Sequence, residues 1–359
     1  MSRLLHANYQ VSNEHYLPVV DWSAINATAP TGLLLPRTKL PNADIAVITW
    51  TSAEWSALDH VFINSDKERG PYAEEWRDSW VPLTLTGETT PLLYFQLVSV
   101  TTESNVDKKV LLIKSEVHLA HPPYILGVEN LVDTIIKQSG VSTVISTGTA
   151  GGSSTKQPLG DVVLTCAAHI ELEKAENIDH CDYNRQTFTG ADIFPSADIY
   201  DKVKNSLMMP LDTVWNDTSI DKSVDELNKR ASTSYTADDL INTPLVPSNL
   251  KSNNIEFAGV QPLLTTDFYF IDNGTSASVY CFLEMDDAVI AHQCQQQGVA
   301  YGFIRNVSDP VVVSTDKEGK TIPADIREDW SGIVYSLCGF YTTFNSALTC
   351  WAAISSLKK

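Results

Sequence analysis

Three short segments carry residue types that can do acid–base chemistry: Ser146-Thr-Gly-Thr-Ala-Gly-Gly152, Leu283-Glu-Met-Asp-Asp-Ala288 and Ile304-Arg-Asn-Val-Ser-Asp309. Each sits where an apolar, strand-like run gives way to a turn or a helix, and α/β sheets bind ligands at those carboxyl ends. The first offers a glycine-lined backbone cradle. The second offers Glu284 and Asp286, two carboxylates suited to a vicinal diol, with Met285 between them to pack on a sugar face. The third ends on Asp309, which could donate a proton. Cleavage of a nucleoside's N-glycosidic bond needs such a set: an acid at the departing base, a base at the nucleophile, and polar groups on the ribose. Singly the segments say less. Asp309 reads equally as a cap of the next segment, with Pro310 fitting a cap-like turn, and Asp286 with Asp287 as the acidic start of a helix.

Alternating strands and helices must position these residues. Strand-like runs span 44–50, 92–100, 109–113, 141–147, 161–166, 261–264, 279–285 and 299–305. Helices are expected from Ser52, a plausible N-cap, over Tyr124–Ser139 up to Gly140, over Asp286–Gln297 up to Gly298, and over an apolar 331–357. The pattern predicts a three-layer α/β/α fold with a mixed central β-sheet. Residues 1–43, broken by Pro18, Pro30, Pro36 and Pro41, read as an N-terminal extension, and 44–359 as a single domain. Within it the polar stretch 170–258 has only patchy helical signal, at Asp198–Met208 and Ser223–Arg230. It reads as an insertion serving as a lid or an oligomer contact.

The chain has 43% hydrophobic and 19% charged residues, ample for a core. With 25 Lys and Arg against 44 Asp and Glu, its net charge is −19, which disfavours nucleic acid or an anionic membrane surface as a partner. No apolar run reaches the roughly 18 residues of a membrane span. His6, Asn8, Gln10 and Glu14 interrupt anything like a signal peptide. The six cysteines show no metal-ligand spacing, so reduced thiols and a cytoplasmic location are expected, with no metal and no cofactor.

Taken together, the segments resemble the nucleoside phosphorylase/nucleosidase superfamily, and most closely the methylthioadenosine/S-adenosylhomocysteine nucleosidases. Those enzymes show N-T-G-[ST]-A-G-G followed by G-D-[IV]-V, matched here by STGTAGG and Leu159-Gly-Asp-Val-Val163. Their S-G-D-x-F-[IV] segment is similar to Thr265-Thr-Asp-Phe-Tyr-Phe270. Their V-E-M-E-x-x-x-[IV]-A and R-x-[IV]-S-D segments are similar to Leu283–Ala291 and Arg305–Asp309, with Asp309 lying 23 residues after Asp286. Their M-x-x-E helix start matches Thr51-Ser-Ala-Glu54. The likeness covers roughly residues 44–170 and 259–350.

The resemblance implies a nucleoside phosphorylase-like fold and a homo-oligomer that hydrolyses a purine nucleoside, with adenine the expected base, or a 5′-modified nucleoside. It implies that Asp309 protonates the base, Glu54 activates water, and Glu284, Met285 and Asp286 hold the ribose, with Arg305 bracing a carboxylate. It places Tyr269 on the base with Phe270 beside it, Thr149, Ala150 and Gly151 on the sugar and nucleophile side, and Ser308 behind Asp309. Asp286 stands for a Glu and is one methylene shorter. Thr51 stands where an apolar residue lines the pocket for the 5′ substituent. Phosphorylases of this superfamily carry an arginine three residues before the Ser or Thr of the glycine turn, where this chain has Ser146. Water is therefore the expected nucleophile, with phosphorolysis or a catalytically inactive nucleoside-binding protein as alternatives. His118, His121 and His292 are expected to be structural. Trp50 and Trp55 flank Glu54, with buried packing as their default role.

Overall fold

Apolar runs rich in Val, Ile and Leu supply the inner strands, and the helices lie across them. The computed structural model describes residues 15–35, 39–153, 158–241, 254–269, 279–310 and 315–357. The chain runs through β1 (Thr31–Gly32), β2 (Ile45–Thr49), α1 (Ser52–Phe62), β3 (Val81–Leu83), β4 (Leu93–Thr101), β5 (Asp107–Ser115), α2 (Tyr124–Ser139) and β6 (Thr143–Gly152). Next come β7 (Val162–Thr165), β8 (Ala167–Glu171), α3 (Ala175–Ile178), β9 (Thr187–Thr189), α4 (Asp198–Ser206), α5 (Asp217–Ala231) and α6 (Ala237–Ile241). Last are β10 (Ile255–Gly259), β11 (Leu263–Thr266), β12 (Phe282–Glu284), α7 (Asp287–Gln297), β13 (Ala300–Pro310) and α8 (Ala324–Ser356).

The strands form one mixed sheet in the order β1-β4-β5-β2-β6-β12-β11-β8-β9. β13 pairs in parallel along the whole of β6 and antiparallel with β7. β7 and β8 are a single stretch of chain interrupted at Cys166. Passing from β6 through β13, β7, β8, β11 and β12 therefore returns to β6, and this half of the sheet closes on itself. One helical layer is built on α8, against which α1, α4 and α5 pack. The other is built on α7 and α2. This is the three-layer α/β/α arrangement with a mixed central sheet that the sequence pattern predicts.

Two local readings differ from the structure, and a third stretch gains definition. The glycine-rich segment after Thr147 is not a turn: it continues β6 to Gly152, because β13 supplies ladder partners along its full length. Helix α8 begins at Ala324, not at 331, since its polar first turns obscure the apolar pattern in the sequence. The polar stretch 170–258 contributes β9 and β10 to the sheet and packs α4 and α5 on α8.

Helix α8 is buried nearly all round, as a helix must be when elements cover every side. Its Trp351 is 1% exposed, and its ring centroid lies 4.6 Å from that of Trp22, in the N-terminal segment. Trp351→Ala should cost about 3–5 kcal/mol through lost burial and the cavity left behind. Urea denaturation reads this directly, and a loss under about 1 kcal/mol would contradict the packing described.

Candidate active site

Glu54 is the third residue of α1 and closes a capping box with Thr51: Glu54 N donates to Thr51 Oγ1 at 3.3 Å, and Thr51 N donates to Glu54 Oε2 at 2.9 Å. The cap is thus Thr51, still extended at φ −91°, and not Ser52, which is already helical. Trp50 N at 2.8 Å and Thr49 Oγ1 at 3.1 Å donate to the same oxygen. Oε1 reaches β6 and accepts from Thr149 N at 2.7 Å and Thr149 Oγ1 at 2.6 Å.

The sheet leaves room for this. Along one edge of β6, β2 pairs up to Ser146 and β12 resumes at Gly151, so the backbone between them meets a side chain. Gly148 permits the approach: at φ +154°, a Cβ there would lie 2.4 Å from Glu54 Cδ. Burial raises the Glu54 carboxyl, but the charge of Arg305 and donors from Thr149 and Thr51 outweigh it and hold the group below its ordinary value.

Arg305, on β13, is buried at the centre of the cluster. Its Nε donates to Asp287 Oδ2 at 2.8 Å, and Nη2 donates to Asp287 Oδ1. Nη2 also reaches Ser146 Oγ at 2.8 Å and Glu284 Oε2 at 3.3 Å, while Nη1 donates to the Thr149 carbonyl at 3.2 Å. Glu284 lies over the start of α7: Asp286 N at 2.6 Å and Asp287 N at 3.0 Å donate to Oε2, and Thr265 Oγ1 donates to Oε1. Burial, then the charge of Asp287, pushes the Glu284 carboxyl up to about 7.

Asp309 follows a β-bulge, since Val307 pairs with Ala150 and Asp309 with the next residue, Gly151. The extra residue, Ser308, donates to Asp309 Oδ1 at 2.6 Å and approaches the Ala150 carbonyl at 3.4 Å. Oδ2 accepts from Tyr269 at 2.9 Å and from Ser331 of α8 at 2.7 Å. Burial, then the neighbouring Asp309, drives the Tyr269 phenol well above its ordinary value, so it stays a donor.

Asp286 turns away from Arg305. Leu119 N donates to its Oδ1 at 2.9 Å, and His118 Nε2 lies 3.2 Å from Oδ2. His118 Nδ1 accepts from Ala120 N at 3.0 Å, which assigns the ring proton to Nε2, facing Asp286. Burial pushes the imidazole down to about 4, so it is neutral. Burial, then the charge of Glu284, pushes the Asp286 carboxyl well above the usual range. Asn177 of α3 holds this loop by donating to the Leu119 carbonyl at 3.1 Å and to Asp267 at 2.9 Å.

The structure thus gathers Glu54, Thr149, Ala150, Gly151, Glu284, Arg305, Ser308, Asp309 and Tyr269 around β6 and β13, with half-buried Met285 and buried Asp286 beside them. Phe270 lies outside the described residues. Trp50 borders the site through Nε1, 3.5 Å from Ser146 Oγ, whereas Trp55 packs away from it on Trp76, Trp80 and Tyr94. His292 stacks on Tyr183 at 3.7 Å. Asp287, His118 and Ser331 contact the candidate residues Arg305, Asp286 and Asp309, and the sequence did not single them out. Asp287 was visible only as a helix start, and Ser331 lies on a helix whose approach to Asp309 has no local signal. Among the described residues no group of three or more His, Cys, Asp or Glu is placed to hold a metal ion.

Two outcomes test the electrostatics. Asp287→Asn leaves Arg305 with a broken buried pair and should destabilise the fold by about 3–5 kcal/mol; equilibrium unfolding checks it, and a loss under about 1 kcal/mol would refute the pairing. Folded Glu284 binds its proton more tightly than the unfolded chain does, so its share of stability is present at acid pH and is lost as the pH rises from about 4.5 to about 7. Glu284→Gln should flatten the stability-versus-pH curve across that interval, and an unchanged curve would contradict the assignment.

No family model matches this sequence, and no curated protein matches it. Among solved structures the chain is similar to the futalosine hydrolase of Helicobacter pylori, at 11% identity and a TM-score of 0.47, over 86% of this chain and 96% of that one. It is also similar to the 5′-methylthioadenosine/S-adenosylhomocysteine nucleosidase of Neisseria meningitidis in complex with methylthio-immucillin-A, at 16% identity and a TM-score of 0.46, over 87% and 99%. The corresponding nucleosidase of Helicobacter pylori shows 11% identity and a TM-score of 0.47, over 87% and 98%. Likeness this distant does not assign a reaction; the chemistry has to come from the geometry of the site.

Proposed function

We propose that this protein is a purine nucleosidase that hydrolyses the N-glycosidic bond of a purine nucleoside or 5′-modified nucleoside, with adenine as the preferred base. The observation that carries this reading is the placement of two carboxyl groups along one strand. Glu54 is anchored at Thr149 and Asp309 pairs with Gly151, two residues further along β6. Two carboxyl groups held at neighbouring positions of one strand can divide the work of a displacement, one serving the nucleophile and the other the leaving group. Asp309 gives its proton to the departing purine, and Ser308, Tyr269 and Ser331 hold it. Glu54, kept ionised, is the base for water. Glu284, Met285 and Asp286 border the ribose side.

Water is favoured over phosphate because Arg305, the cation at the centre of the site, is already balanced by Asp287 and Glu284. A phosphate dianion would have to displace a carboxylate or lie buried against one. The six free cysteines fit a reducing, cytoplasmic setting, and no helix among the described residues is long and apolar enough to cross a membrane. We extend the reading to a homo-oligomer.

Chromatography of adenosine, inosine, guanosine, methylthioadenosine and S-adenosylhomocysteine after incubation tests the reading. Free base with free sugar, indifferent to phosphate, is expected. Release only with phosphate would replace hydrolysis with phosphorolysis, and intact substrates throughout would leave a nucleoside-binding protein. Asp309→Asn should lower turnover at least about 100-fold, as loss of a general acid does, with the unfolding midpoint little changed. Near-normal turnover in that variant would remove Asp309 from the mechanism.

A further inference from the structure

The nucleosidase reading makes Glu54 the base, yet the carboxylate has no direction left from which to hold a water. Five hydrogen bonds end on it, from Thr49 Oγ1, Trp50 N, Thr51 N, Thr149 N and Thr149 Oγ1. An ionised carboxylate has about four lone-pair sites, so these donors saturate it. Glu54 is 3% exposed, whereas Thr149 is only half-buried. The accessible group at this point of the site is the threonine.

The Thr149 hydroxyl commits its hydrogen to Glu54 Oε1 at 2.6 Å, the short range of a hydrogen bond to a charged acceptor. Its oxygen keeps two acceptor directions. The Tyr335 hydroxyl gives its one hydrogen to Thr51 Oγ1 at 3.2 Å, so it lies beside the Thr149 side chain without filling either direction. We propose that Thr149 is the catalytic residue that touches the attacking water and relays its proton to Glu54; this rests on the nucleosidase reading above.

In this step the water oxygen forms a bond to C1′ of the sugar as the C1′–N bond breaks. The electron pair of that bond goes to the purine, which takes its proton from Asp309. The water passes one proton to Thr149 Oγ1, and Thr149 passes its own to Glu54 Oε1. Glu54 ends protonated and Asp309 ionised, so charge and protons balance. Glu54, with its lowered proton affinity, is a weak base, but a weak base suffices: water bonding to a cationic C1′ becomes acidic as the bond forms.

The test is turnover of the best substrate by the wild-type protein, Thr149→Val, Thr149→Ala and Thr149→Ser. Valine keeps the volume and the backbone N–H to Glu54 while removing the relay oxygen, and Ala serves if Val disturbs folding. The expected result is a fall in kcat of about 100-fold or more for Val and Ala, with KM and unfolding midpoint little changed and most of the activity retained in Ser. Undiminished kcat in Val and Ala overturns the relay alone, since water would then use the vacated site on Oε1. No base release by the wild-type protein overturns the nucleosidase reading and the relay with it.

Discussion

The buried guanidinium of Arg305 is the constraint on which the site depends. A cation withdrawn from water must be surrounded by acceptors, and breaking any part of that shell is costly. The acceptors come from elements far apart in the chain: Ser146 and the Thr149 carbonyl on β6, Glu284 on β12, and Asp287 on α7. One side chain of β13 therefore ties together three of the elements that border the candidate active site. It also lends its charge to Glu54, which holds that carboxyl ionised despite burial.

Negative charge around Arg305 exceeds what one cation can balance, and backbone dipoles supply the remainder. Glu54 lies at the N-terminus of α1 and Glu284 over that of α7, where unpaired N–H groups accept anions readily. The capping box of α1 is an ordinary local motif. It acquires a second role because β2 and β12 leave part of one β6 edge without a ladder, and Gly148 lets the carboxylate fill that place.

Much of the architecture was legible in the sequence because it follows local periodicity. The apolar runs around β2, β4, β5 and β6 fall close to their observed positions, as do α2 and α7, each ended by a glycine. The site segments were legible as residue types at strand ends. What failed locally had a tertiary cause. The glycine run looked like a turn, yet β13 holds it as strand. Within the stretch from 170 to 258, Asn177 reaches across to hold the loop carrying His118 and Leu119, a contact that no local pattern announces.

The order of apolar and polar residues, then, determined the α/β class, the main strands and helices, and the identity of most groups near the site. Partner choice was decided only in three dimensions. Arg305 pairs with Asp287 and not with the adjacent Asp286, Asp286 takes His118 instead, and Asp309 is held by Ser331 from the last helix. The physical reason is that a strand or helix pattern depends on neighbours a few residues away. A hydrogen bond between buried polar groups depends on register, a bulge at Ser308, and which sheet edge is left unpaired, and these are properties of the assembled fold.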